Sequence, residues 1–261
     1  MGLDQPSMAQ HSGGAATAVP QEKCWICGTN DANSGEHVIK KSDLRDVLGK
    51  PTQAAPFYFH KPGLEGKAVG SLNADILKSS APMCAHCNNA RTQPHDLAWE
   101  TMSRWFTTRQ KPLKKGQFIR GNKIFPDAPW RKMRDVHLFF LKTLGCVIVE
   151  AGDQAPIDIA PFSTTIMKGG THPEVYLQFC CGDGTVGRHF DCVRLNSGHV
   201  FAVLTYRIKH VTVNIFYAQE GGGWESLDKT WHPRFGTNRL VIGDYARGLD
   251  GQPSAEPANA P

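Results

Sequence analysis

The chain has 261 residues, 40% of them hydrophobic and 20% charged, which is an ordinary balance for a soluble protein and leaves room for one large or two medium domains. No stretch approaches the roughly 20 apolar residues of a membrane span, so a membrane role is excluded, and eight cysteines in so long and core-rich a chain do not argue for a disulfide scaffold. A net charge of +5 permits a nucleic-acid partner without requiring one.

Residues 1–21, rich in Gly, Ala, Gln and Ser, lack a basic-plus-apolar signal pattern and are expected to form a disordered tail. A reducing, cytoplasmic setting is expected, since it suits thiolates. The chain then offers two CxxC pairs, Cys24/Cys27 and Cys84/Cys87. Four sulfurs at this spacing predict a tetrahedral structural zinc site, each pair forming a tight turn that presents both sulfurs. The alternative is four buried or reactive thiols. His86, inside the second pair, is expected to be an exposed spacer. Between the pairs stands Glu36-His37, which four-sulfur zinc would leave free for other work. Histidine is the side chain tuned to act as a base near pH 7, and a neighbouring carboxylate or amide oxygen suits a hard cation. On a regular strand the two would point to opposite faces, so a bend is expected there.

The order CxxCG, Glu-His-Val-Ile, CxxCN resembles the HNH endonuclease family in its zinc-stapled form, over about residues 22–105. The resemblance implies a ββα-metal fold and hydrolysis of phosphodiester bonds in nucleic acid, DNA more than RNA. It implies His37 as general base and Glu36 and Asn88 as ligands of a catalytic Mg2+ or Mn2+. It further implies a 3′ hydroxyl and a 5′ phosphate as products. Asn73 is a weak candidate for the family's middle asparagine, and residues 45–80 are expected to be an insertion. The rival expectation is a non-catalytic zinc module that binds nucleic acid or protein, with His37 merely structural.

Ser42–Leu48 is expected to be a short helix capped by Ser42 and ended by Gly49. Phe57, Tyr58 and Phe59 are expected to pack the insertion onto the domain rather than to stack on a base. Pro94 suits a helix start, and Leu97, Trp99, Met102, Trp105 and Phe106 follow at helical spacing as a core stripe. His95 and Asp96 are further candidates to close the catalytic metal site. Asp96 is equally a helix-cap acid, and Arg91 either meets a phosphate or sits in solvent.

Residues 104–134 carry ten Lys/Arg against one acid, Asp127. Arg109, Lys111, Lys114 and Lys115 within it are candidate phosphate contacts, with Phe118, Phe125 and Trp130 interleaved. The alternative is a solvated basic linker over 111–130. A second α+β unit is expected over 131–247. It begins with an amphipathic helix on Val136, Phe139, Phe140 and Leu144 ending near Gly145. An antiparallel meander of strands follows, over 175–181, 188–195, 200–208 and 211–217. Cys146, Cys180, Cys181 and Cys192 lack metal spacing and are expected in the core. Residues 248–261 are expected to be a second disordered tail. The organisation expected is thus an HNH-like zinc domain over 22–110, the linker, and an antiparallel α+β domain.

Overall fold

The computed structural model describes residues 22–61, 63–220, 227 and 229–243, so both expected tails lie outside the described residues. The first helix, α1, spans Lys41–Leu48. Ser42 is not its cap: Lys40 holds the cap position without a side-chain bond, and Ser42 Oγ is buried with no hydrogen-bond partner among the described residues. Gly49 ends α1 as expected, at a φ of 78° that a side chain would strain. Strands β1 (Phe57–Lys61) and β2 (Leu64–Val69) form an antiparallel hairpin inside the expected insertion. Phe57 and Phe59 pack against the core while Tyr58 between them is exposed, the alternation a strand imposes.

A widened helical turn, His86–Arg91, leads into α2 (Gln93–Thr107). At the junction the Thr92 hydroxyl lies 3.0 Å from the carbonyls of both Cys87 and Asn88, satisfying groups that the change of winding frees. Trp99, Met102 and Phe106 are fully buried, as the stripe predicts, whereas Leu97 is 51% exposed and Trp105 is only half-buried.

Residues 111–130, one candidate for a solvated linker, contain strand β3 (Phe118–Arg120) and helix α3 (Gly121–Ile124). Helix α4 runs over Pro129–Ala151, well past Gly145. That glycine is a packing residue rather than a stop. A Cβ there would lie 2.5 Å from Cη2 of Trp25, in the first cysteine turn.

Helix α5 (Ala160–Lys168) precedes β4 (Val175–Cys181), β5 (Val186–Arg194), β6 (Val200–Ile208), β7 (Val211–Ala218) and β8 (Arg239–Gly243). The sheet order is β3-β8-β4-β7-β6-β5. Strands β5, β6 and β7 form the expected antiparallel run, but β4 pairs with β7 rather than β5, and β8 lies parallel to β4. The β4–β5 link straps across the Lys209-His210 turn, with the Gly182 N–H donating to the His210 carbonyl and the Lys209 N–H to the Thr185 carbonyl.

The class is α+β, and one buried cluster runs from Cys24 through α2 and α4 to Ile242 of β8. Trp99 stacks on Phe139 at 5.6 Å and meets Phe140 and Tyr206 edge-on. Buried Asp43 ties α1 to α2 and β6, accepting from Trp99 Nε1 at 2.8 Å, Ser103 Oγ at 2.7 Å and the Tyr206 hydroxyl at 2.6 Å. Among the described residues no helix is long and apolar enough to cross a membrane.

Candidate functional site

The cysteine pairs converge. The ligand atoms of Cys24, Cys27, Cys84 and Cys87 all lie within 4.8 Å of one another, and Cys27 Sγ is 4.0 Å from Cys84 Sγ. A tetrahedron with Zn–S bonds of about 2.3 Å separates its sulfurs by about 3.8 Å, so the donor set fits zinc. The first pair is the expected tight turn: the Gly28 N–H donates to the Cys24 carbonyl at 2.8 Å, and Gly28 sits at a φ of 66°. The second pair opens a helix instead, and its two cysteines share a face because they are three residues apart.

The thiols are electrostatically unequal. Burial raises Cys24 and, more strongly, Cys87, whose neighbouring thiols add to the shift. Burial also acts on Cys27, but hydrogen bonds from Thr29 and Asn30 outweigh it and bring the thiol down to about 6. A divalent cation is what allows four such sulfurs to be thiolates together.

Beside this cluster lies a polar depression of about 310 Å3 whose lining includes Glu36, His37, Lys40, Asn88, Asp96 and Glu100. The segment carrying Glu36-His37 pairs with the one ahead of Cys84 through two isolated bridges, Ser34 with Met83 and His37 with Lys78. It is not a regular strand, which lets both adjacent side chains reach one depression. His37 Nε2 lies 2.9 Å from the Leu72 carbonyl. A carbonyl only accepts, so Nε2 carries the proton and Nδ1 keeps its lone pair in the neutral ring. Asn88 donates from Nδ2 to Ser34 Oγ at 2.9 Å and to the Gly35 carbonyl at 3.3 Å, which leaves Oδ1 as an acceptor. Asn73 is exposed, bonds Lys41 and does not line the depression; the carbonyl that holds His37 belongs to its neighbour Leu72.

One residue that contacts this depression's lining carries no signal in the cysteine or Glu-His motifs. Lys142 of α4 is fully buried, and its Nζ donates to Glu36 Oε2 at 2.8 Å, Asp96 Oδ1 at 3.0 Å and Thr92 Oγ1 at 3.2 Å. Burial alone would discharge it; Glu36 and Asp96 outweigh that and hold the ammonium charged, above its ordinary value. The signal was a lone lysine inside the apolar run Leu138–Ile148.

Comparison of the chain with models of protein families finds no match, nor does comparison with curated proteins or with solved structures.

His95 does not join Asp96 at the depression. It is buried against α4, with Nε2 4.0 Å from Asp135 Oδ1, and burial together with Lys142 pulls it down to about 4, so it is neutral. His86 is exposed, as expected of a spacer. Arg91 is half-buried, and its Nε has no hydrogen-bond partner among the described residues. Lys111, Lys114 and Lys115 are exposed, and Arg109 lies over the Trp105 ring at 4.4 Å. Cys146 and Cys180 are buried as expected, while Cys181 and Cys192 are half-buried.

Proposed function

We propose that this chain is a metal-dependent endonuclease of the HNH type, acting on DNA, with His37 as its general base. The observation that carries the proposal is the pairing of His37 Nε2 with the Leu72 carbonyl inside a depression that Glu36 and Asn88 also line. The hydrogen bond fixes the ring in the tautomer a base needs and stops it rotating. The order of parts agrees: two bridged extended segments and then a helix, as in a ββα-metal motif, with α1 and the β1–β2 hairpin inserted between the segments.

In the proposed reaction His37 Nδ1 takes the proton of a water as that water attacks the scissile phosphorus in line. Asn88 is held by Ser34 and Gly35, so Oδ1 stays aimed without side-chain entropy left to lose. Asn88 Oδ1 and Glu36 Oε1 would hold Mg2+ or Mn2+, which when bound supplies positive charge to the phosphate and the departing oxygen. The cysteine cluster pins Asn88, the residue after Cys87, to the segment that carries His37.

A non-catalytic zinc module is the second reading, favoured by one observation: Glu36 Oε2 and Asp96 already have Lys142 as a counter-charge. A plasmid-nicking assay with Mg2+ or Mn2+ separates the two. The wild-type chain is expected to nick, and a folded, zinc-loaded His37→Ala variant to lose at least about a hundredfold in rate. A folded, zinc-loaded wild type that cuts neither DNA nor RNA with either metal leaves the non-catalytic reading standing.

A further inference from the structure

On the far end of α2 from Asp96 lies a second groove, of about 640 Å3, lined by Trp105, Arg109, Phe118, Arg120, Lys123 and Arg239 among others, none of them a carboxylate. Its make-up is costly in the absence of a ligand. Phe118 is 59% exposed on edge strand β3, although Ile119 beside it is buried. Arg120 and Arg239 stand directly opposite one another across the β3–β8 pair, where like charges destabilise a sheet. Among the described residues no carboxylate lies within ion-pair distance of Arg109, Arg120, Lys123 or Arg239. The guanidinium groups rest on rings instead: Arg109 over Trp105 at 4.4 Å and Arg239 over Phe118 at 4.5 Å.

We propose that this groove binds an unpaired strand of nucleic acid, its phosphates between Arg120, Lys123 and Arg239 and a base stacked at Phe118. Unpaired bases expose the π-faces that an aromatic platform needs, whereas a duplex keeps those faces stacked inside and meets such a groove mainly through its phosphates. The strand then passes on toward the catalytic depression. Asp96 and Trp105 are nine residues apart on one helix, about 14 Å, or about four stacked nucleotides. This extends the nuclease reading by naming the form of nucleic acid held beside the site, but the binding it predicts does not depend on cleavage.

The test uses the full zinc-loaded chain carrying His37→Ala, so that no strand is cut. Fluorescence anisotropy measures its affinity for a labelled oligothymidylate of about twelve nucleotides and for a duplex of the same length. Adding Phe118→Ala is expected to weaken oligothymidylate binding about tenfold while changing duplex binding less than about twofold. Adding Arg120→Gln with Lys123→Gln is expected to weaken both and to flatten the salt dependence. Both sites are exposed, and thermal melts check that the variants stay folded. The proposal is overturned if the oligothymidylate fails to bind, if both sets of variants bind it as the parent does, or if Phe118→Ala weakens duplex binding equally. It is also overturned if free thymidine monophosphate competes as well as the strand, since that marks a mononucleotide pocket. Cleavage by the wild-type chain is scored separately. Groove-dependent binding without cutting overturns the nuclease proposal alone; cutting with groove-independent binding overturns this one alone.

Discussion

Lys142 Nζ lies 2.8 Å from Glu36 Oε2, although 106 positions separate the two residues in sequence. The contact ties α4 from behind to Glu36 and Asp96, two residues that line the depression holding His37, so the helix that leads into the sheet-bearing half buttresses the site. Lys142 is fully buried, while Glu36 and Asp96 keep 12% and 18% of their side chains exposed.

Replacing Lys142 with Met removes the one cation that bridges both carboxylates among the described residues, leaving Asp96 with Lys40 at 3.9 Å. The expected loss is about 3 kcal/mol, the low end for breaking a buried pair, because both acids keep some contact with water. Combining Lys142→Met with Glu36→Gln should recover part of it, since a single acid then remains. Urea unfolding of the four chains measures both effects. A loss below about 1 kcal/mol in the single variant would mean that the ammonium contributes little to the fold.

Metal retention should divide the cysteines into two classes. Cys87→Ser, inside the cluster, is expected to abolish zinc binding and to cost more than about 3 kcal/mol, because binding free energy at such a site is folding free energy. Cys192→Ser, on β5 and outside the cluster, is expected to leave the zinc content unchanged. Metal analysis of purified variants reads this directly. Equal zinc content in the two would remove the cysteine cluster as the metal site.

Gly145 shows why some of the fold is legible in local pattern and the rest is not. A glycine at the end of an apolar helical run reads as a stop, because it is a poor helix former and a good cap. Its actual role is set by Trp25, over a hundred positions earlier, and no local pattern carries that. Ala at 145 would gain about 1 kcal/mol of helix propensity, but its Cβ would meet the indole at 2.5 Å, and overpacking costs about 1–3 kcal/mol. The net expectation is destabilisation by about 1 kcal/mol, seen as a lower urea midpoint; a stabilised variant would mean the indole moves freely aside.

The same contrast runs through the site. The cysteine spacing and the alternation of β6 and β7 are local, and both were legible. The partner strand of β4, the addition of β8 in parallel, and the arrival of Lys142 beside Glu36 are set by tertiary packing. His95 and Asp96 are neighbours in sequence, which makes both candidate ligands, but only Asp96 lines the depression. On α2 adjacent residues point about 100° apart, which sends one to the depression and the other to Asp135.

Three of the four histidines buried among the described residues make the final prediction; the fourth, His232, is lowered by burial in the same sense. Burial is the main cause that lowers His137 to about 3, and His95 and His172 to about 4 each. His137 keeps its Nε2 proton on the Val175 carbonyl at 3.0 Å, and that bond does not offset the desolvation. Histidine in the unfolded chain takes up a proton below about pH 6.5, while these rings in the folded chain do not. The unfolded state therefore binds more protons as pH falls from 6.5 toward 4, and the folded state loses about 2 kcal/mol per histidine by pH 5. Asp43 and Asp135 act in the opposite sense, because burial raises both and the folded chain holds their protons more readily at low pH. Site-resolved measurement separates the two contributions. In NMR titration from pH 8 to 5 the ring signals of His95, His137 and His172 should stay at their neutral positions. A ring among them that titrates near 6.5 is accessible to water in the folded chain, and its share of the acid sensitivity disappears.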